Sequence, residues 1–81
     1  MNFTRRLGLD PHASGNACAS LDNCPDILEL ADGDFAIIGF DITDAAKGQL
    51  AFGAKCGEGE RVVKIPRHTL VLAKRDIPES V

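Results

Sequence analysis

The chain has 81 residues and a net charge of −3, with 44% apolar and 26% charged residues, which fits one globular domain near the lower size limit for a single core. No apolar run approaches the roughly 18 residues of a membrane-spanning helix, and Arg5 and Arg6 have no apolar stretch behind them, so neither a span nor a secretory signal is expected. Trp and Tyr are absent, which removes the usual anchors of binding surfaces and the usual platforms for stacking bases.

Charge is segregated along the chain. Eight acids and no Lys or Arg lie between Arg6 and Lys47, whereas five bases and no acid lie from Arg61 to Arg75. Two readings follow: the halves pack together and neutralise each other, or they form a polarised surface that steers a charged partner. Three cysteines is an odd count for a small disulfide scaffold, so reduced thiols in a cytoplasm are expected.

Residues 1–23 read as a poorly ordered N-terminal arm ahead of a single small domain at 24–81. Asp10-Pro11, Ser14-Gly15-Asn16 and Leu21-Asp22-Asn23 are turn signals, while the alternation of Phe3, Leu7 and Leu9 allows a short strand or docking arm. Cys24-Pro25 then forces extended backbone.

Residues 27–43, ILELADGDFAIIGFDIT, form the organising stretch and read as a β-hairpin. Asp32-Gly33 suits a two-residue type I′ turn, which sets Leu30 opposite Phe35 and Leu28 opposite Ile37. Both faces are apolar near the turn, so the hairpin is expected inside a sheet or covered on both sides. Residues 44–50 read as one helical turn capped by Thr43 or Asp44. Four glycines then punctuate residues 48–59, a flexible connection expected to carry Leu50 and Phe52 back to the core.

Residues 60–65 read as a third strand, ended or held at an edge by Pro66. Beyond it, Pro66, Leu70, Ala73 and Ile77 make a helical stripe, with Lys74 and Arg75 placed where the dipole favours cations; a helix is preferred there over a strand. The fold class is therefore α+β: a small antiparallel sheet built on the central hairpin, a third strand and a short C-terminal helix.

Two segments, CPDILELADGDFAIIGFDIT and ERVVKIPRHTLVLAKRDIP, together resemble a group of short, acidic bacterial proteins of no assigned activity. The resemblance implies a small accessory protein encoded near helix-turn-helix regulators and supplies no catalytic residues. RVVKIPR and DGDFAIIG are also similar to pieces of the swapped-hairpin transition-state regulators that bind DNA, although here the two pieces run in the opposite order.

Chemistry-bearing motifs are sparse. Cys18, Cys24, Cys56, His12 and His68 lack zinc-knuckle spacing, and Cys24 reads as a small buried hydrophobe. No oxyanion motif or orienting group accompanies a cysteine–His68 pair, and Glu58 and Glu60 argue against anion binding at Gly57-Glu58-Gly59. No cofactor, metal or enzymatic activity is expected. The expected function is a non-enzymatic regulatory module binding another protein, either a helix-turn-helix regulator or a second copy of itself. The binding candidates are Arg61, Lys64, Arg67, His68, Lys74 and Arg75. The alternative is a small DNA-binding regulator using the basic segment 61–75.

Overall fold

The computed structural model describes residues 1–9 and 24–81. Cys18, His12 and the turn signals from Asp10 to Asn23 lie outside the described residues. The elements in chain order are β1 (Phe3–Arg6), β2 (Asp26–Leu30), β3 (Phe35–Ile38), β4 (Phe40–Asp41), α1 (Thr43–Ala46), β5 (Val63–Lys64) and α2 (Arg67–Ala73), which runs on as a 3-10 turn at Lys74–Asp76. β1, β2 and β3 form an antiparallel sheet in that spatial order, and β4 pairs with β5 in a second, two-stranded sheet. The fold is α+β, with a short C-terminal helix as expected.

The hairpin forms with a register one residue away from the expected one. Glu29 pairs with Phe35, Leu28 with Ala36, Ile27 with Ile37 and Asp26 with Ile38. The loop is three residues long. Gly33 N–H donates to the Leu30 carbonyl at 3.0 Å, and Leu30 N–H to the Asp34 carbonyl at 2.8 Å. Gly33 alone takes a left-handed conformation, with φ +94°, whereas a type I′ turn would hold Asp32 at positive φ as well. Asp32 instead turns its Oδ1 onto the Asp34 N–H at 2.9 Å. Because side chains alternate, this slip exchanges the faces. Ile27, Glu29, Phe35 and Ile37 now share one face; Asp26, Leu28, Ala36 and Ile38 share the other.

One further expectation changes. The third strand of the hairpin sheet is β1, not residues 60–65; of the latter only Val63–Lys64 is strand, and it pairs with β4. Within the arm expected over 1–23, Phe3–Arg6 form the short strand that the alternation of Phe3, Leu7 and Leu9 allowed. Backbone bonds join Leu7 N–H to the Ile27 carbonyl at 2.9 Å and Ala31 N–H to the Asn2 carbonyl at 2.8 Å. A bulge at Thr4 separates the Phe3–Leu30 and Arg5–Glu29 pairs.

Charges anchor β1. Arg5 pairs with Glu29, and Arg6 Nε donates to both carboxylate oxygens of Asp26, at 2.8 and 3.1 Å. Asp26 is buried, and its Oδ1 also accepts the Ile27 N–H at 2.9 Å, so the carboxylate does not go unpaired. The hairpin acids Asp26 and Glu29 are thus neutralised by Arg5 and Arg6, not by the basic segment 61–75.

Among the described residues the core is small: Leu7, Ile27 and Ala73, with half-buried Ile65 packed against them. Pro66 caps α2 in extended backbone (ψ 148°), where its missing N–H costs no helical bond. Of the expected stripe, Ala73 is fully buried, while Leu70 and Ile77 stay exposed. Gly8, at φ +83°, passes directly under α2; its N–H donates to Asp76 Oδ2 at 2.8 Å, and Arg5 Nη2 donates to the Asp76 carbonyl at 2.8 Å. Gly39 is where the chain leaves the first sheet for the second. A Cβ there would lie 2.7 Å from the Lys64 carbonyl oxygen and 2.8 Å from Ile65 Cγ2, so only glycine lets β5 approach.

The glycine-punctuated connection does not return its apolar residues to the core. Leu50 is exposed, and Phe52 projects fully into solvent in a left-handed conformation, φ 59°. Cys24 is disulfide-bonded and Cys56 is a free thiol, which corrects both the reduced-thiol expectation and the reading of Cys24 as a simple buried hydrophobe.

Candidate functional site

The six residues singled out from sequence do not form one site. Arg61 lies on an open cleft of about 630 Å³ with Asp44, Lys47, Cys56, Glu58 and Glu60. Lys74 and Arg75 border an open, partly apolar groove of about 720 Å³ with Leu9, Val71, Leu72 and Ile77. Lys64 is exposed on β5 opposite Phe40, and Arg67 is exposed at the start of α2. His68 is half-buried, and its Nε2 is a buried atom with no hydrogen-bond partner. Arg75 pairs only with its neighbour Asp76, at 3.6 Å, and no ion pair holds Lys64, Arg67 or Lys74 among the described residues. The bases are therefore spread over separate surfaces, not focused on one point.

The cleft carries both signs of charge and no aligned chemistry. Glu60 Oε1 already accepts the Gly57 N–H at 2.7 Å. No group of three His, Cys, Asp or Glu side chains converges among the described residues. Two carboxylates are held below their ordinary range. Asp41 is lowered first by the Thr43 hydroxyl, whose bond to Oδ1 is 2.6 Å, then by the Thr43 N–H at 3.0 Å and more weakly by Arg61. Asp76 is lowered first by the Gly8 N–H, with Arg75 and Arg5 adding to it. The first is a local turn and the second ties the end of β1 to the C-terminal helix, and they account for these carboxylates structurally.

The open edge of β3 is different. The Ile27 carbonyl accepts from Leu7, so Ile27 turns its backbone toward β1. Its pair with Ile37 is then non-hydrogen-bonded, and the antiparallel alternation gives the β2–β3 bonds to Leu28–Ala36 and Asp26–Ile38. Phe35 and Ile37 must therefore point N–H and C=O outward, and no described group bonds to them there. The pattern continues past Gly39. Ile42 N–H donates to the Val62 carbonyl at 2.9 Å, so β5 occupies the same edge of the ribbon that β2 occupies, and the opposite edge is open among the described residues.

This edge is apolar on both faces. Phe35, Ile37, Ile38 and Phe40 are 41, 47, 51 and 57% exposed, and Val63 beside β4 is exposed as well. Exposed strand edges in folded proteins are commonly guarded by lysine, proline or a bulge. From Phe35 to Phe40 none of these occurs. Sequence reading placed the hairpin inside a sheet or covered on both sides and could not say which strand was free, because that depends on β1 taking the other side of β2.

No family model, curated protein or solved structure matches the chain.

Proposed function

We propose that this chain is a small, non-enzymatic interaction module with a regulatory role, and that its protein partner adds a strand to β3. The observation that carries the reading is the outward-facing backbone of Phe35 and Ile37 on an unguarded apolar edge. Main-chain bonds supply affinity in strand addition, and the side chains on either face supply selectivity. Phe35 and Ile37 serve one face, Ala36 and Ile38 the other. Partners of the two kinds expected from sequence, a helix-turn-helix regulator or the chain itself, both suit such an edge.

A disulfide at Cys24 supports an oxidising setting over the cytoplasm expected from the odd cysteine count.

The second reading is DNA binding, favoured by exposed Lys64, Arg67 and Lys74 having no ion pair among the described residues. One experiment separates the two. Tagged protein is used to capture a partner, and duplex DNA is titrated at several salt concentrations. Strand addition predicts that Ile37→Lys abolishes capture while Arg67→Glu leaves it intact. Duplex binding at physiological salt, weakening by about one log unit per log unit of salt for each phosphate contacted and lost in Arg67→Glu, would transfer the function to the basic segment.

A further inference from the structure

We infer that the strand added to β3 is β3 of a second copy of this chain, paired antiparallel about a two-fold axis at Ala36. The inference rests on the strand-addition reading above and specifies its occupant. Two observations lead to it, one from the backbone of the edge and one from the apolar side chains along it.

The edge is self-complementary. Its outward N–H and C=O groups belong to Phe35 and Ile37, placed symmetrically about Ala36. Turning a second copy by 180° about Ala36 sets Phe35 opposite Ile37 of the other chain and Ile37 opposite its Phe35. Each of these pairs is hydrogen-bonded on both strands, so all four outward groups of each chain are satisfied. Ala36 then faces Ala36 across the axis as a non-hydrogen-bonded pair. That pair brings Cα atoms to within about 4.5 Å, and alanine is small enough to allow it. Beyond it, Ile38 meets Asp34, and the acidic turn of one copy runs toward the Phe40 end of the other, where Lys64 stands beside Phe40. No charged residue lies between Phe35 and Phe40 to oppose its own copy.

The second observation is the apolar surface left exposed at the edge. The buried core comprises only Leu7, Ile27 and Ala73 among the described residues, whereas Phe35, Ile37, Ile38 and Phe40 stand exposed along the edge. A second copy brings an identical apolar edge against them. The pair would join two three-stranded sheets into one of six strands, a common sheet size.

The test combines sedimentation equilibrium with directed cross-linking. At about 50 µM, well above a micromolar Kd, the unmodified protein should sediment at twice its 8.6 kDa mass. Ile37→Lys should weaken association at least about tenfold. In a Cys56→Ser background, Ala36→Cys should oxidise to a covalent dimer, since facing Cα atoms near 4.5 Å suit a disulfide. Ile38→Cys should not, because its copy lies several residues along the strand. A unmodified chain that stays monomeric at this concentration yet captures another protein through β3 would overturn the self-pairing and leave the strand-addition reading standing. A dimer that ignores Ile37→Lys and cross-links equally at Ile38 would overturn both. The mass of the unmodified protein decides the association even where a variant does not fold.

Discussion

Replacing Gly8 with alanine tests whether the N-terminal strand is seated beneath α2. Two costs add at this position. The backbone sits at φ +83°, where an L-residue pays roughly 1–2 kcal/mol. The new Cβ would also stand 3.1 Å from three backbone atoms, Leu72 C, Leu72 O and Ala73 N, none of which can rotate away. Overpacking of that kind costs about 1–3 kcal/mol more. Gly33→Ala is the matched control, because φ is +94° there and nothing lies within 4 Å of the added carbon. Both substitutions stiffen the unfolded chain by a similar amount, so the difference between them isolates the packing of Gly8 on the helix. Urea unfolding should place Gly8→Ala about 1–3 kcal/mol below Gly33→Ala at an unchanged m-value, and below native by more. The Gly8 N–H survives the substitution, so its bond to Asp76 does not confuse the comparison. Equal losses for the two variants would refute the docking of β1 on α2.

Three other outcomes follow from the structure. The Asp76 carboxyl is lowered in the fold from an ordinary value of 3.8, so the stability it contributes is present above that value and is lost as pH falls through the folded pKa; Asp76→Asn should be less stable than native at pH 7 and converge with it in strong acid, read by thermal melts across that range. Gly39→Ala should separate β4 from β5 because its Cβ meets the Lys64 carbonyl oxygen at 2.7 Å, and the Ile42 amide, now bonded to Val62, should lose its protection from hydrogen exchange. Reductant should lower the melting midpoint, since opening the Cys24 disulfide frees the unfolded chain; an unchanged midpoint would count against that bond.

Local chemistry was legible where one residue decides the geometry. Gly33 at positive φ, Pro66 at the start of α2 and the α+β class all follow from residue types read in place. The hairpin register was not legible, because Asp32-Gly33 suits both a two-residue and a three-residue loop, and the choice turned on an Asp32 side-chain bond to Asp34. Nor was the sheet order. Arg5 and Arg6 look like solvated charge in the sequence, yet their pairing with Glu29 and Asp26 fixes β1 beside β2 and so decides which strand stays open. The basic segment misled for the complementary reason. Its residues cluster in sequence, but a strand, a helix and a 3-10 turn distribute them over separate surfaces.

Amide hydrogen exchange along β3 tests the central claim most directly. In dilute protein, the Ala36 and Ile38 amides, bonded to β2, should exchange slowly, while those of Phe35 and Ile37 exchange at rates typical of exposed amides. At concentrations where the chain associates, or with a bound partner, Phe35 and Ile37 should become protected and Ala36 and Ile38 should change little. The opposite alternation, with Ala36 and Ile38 fast in dilute protein, or no gain of protection at Phe35 and Ile37 on association, would contradict the account.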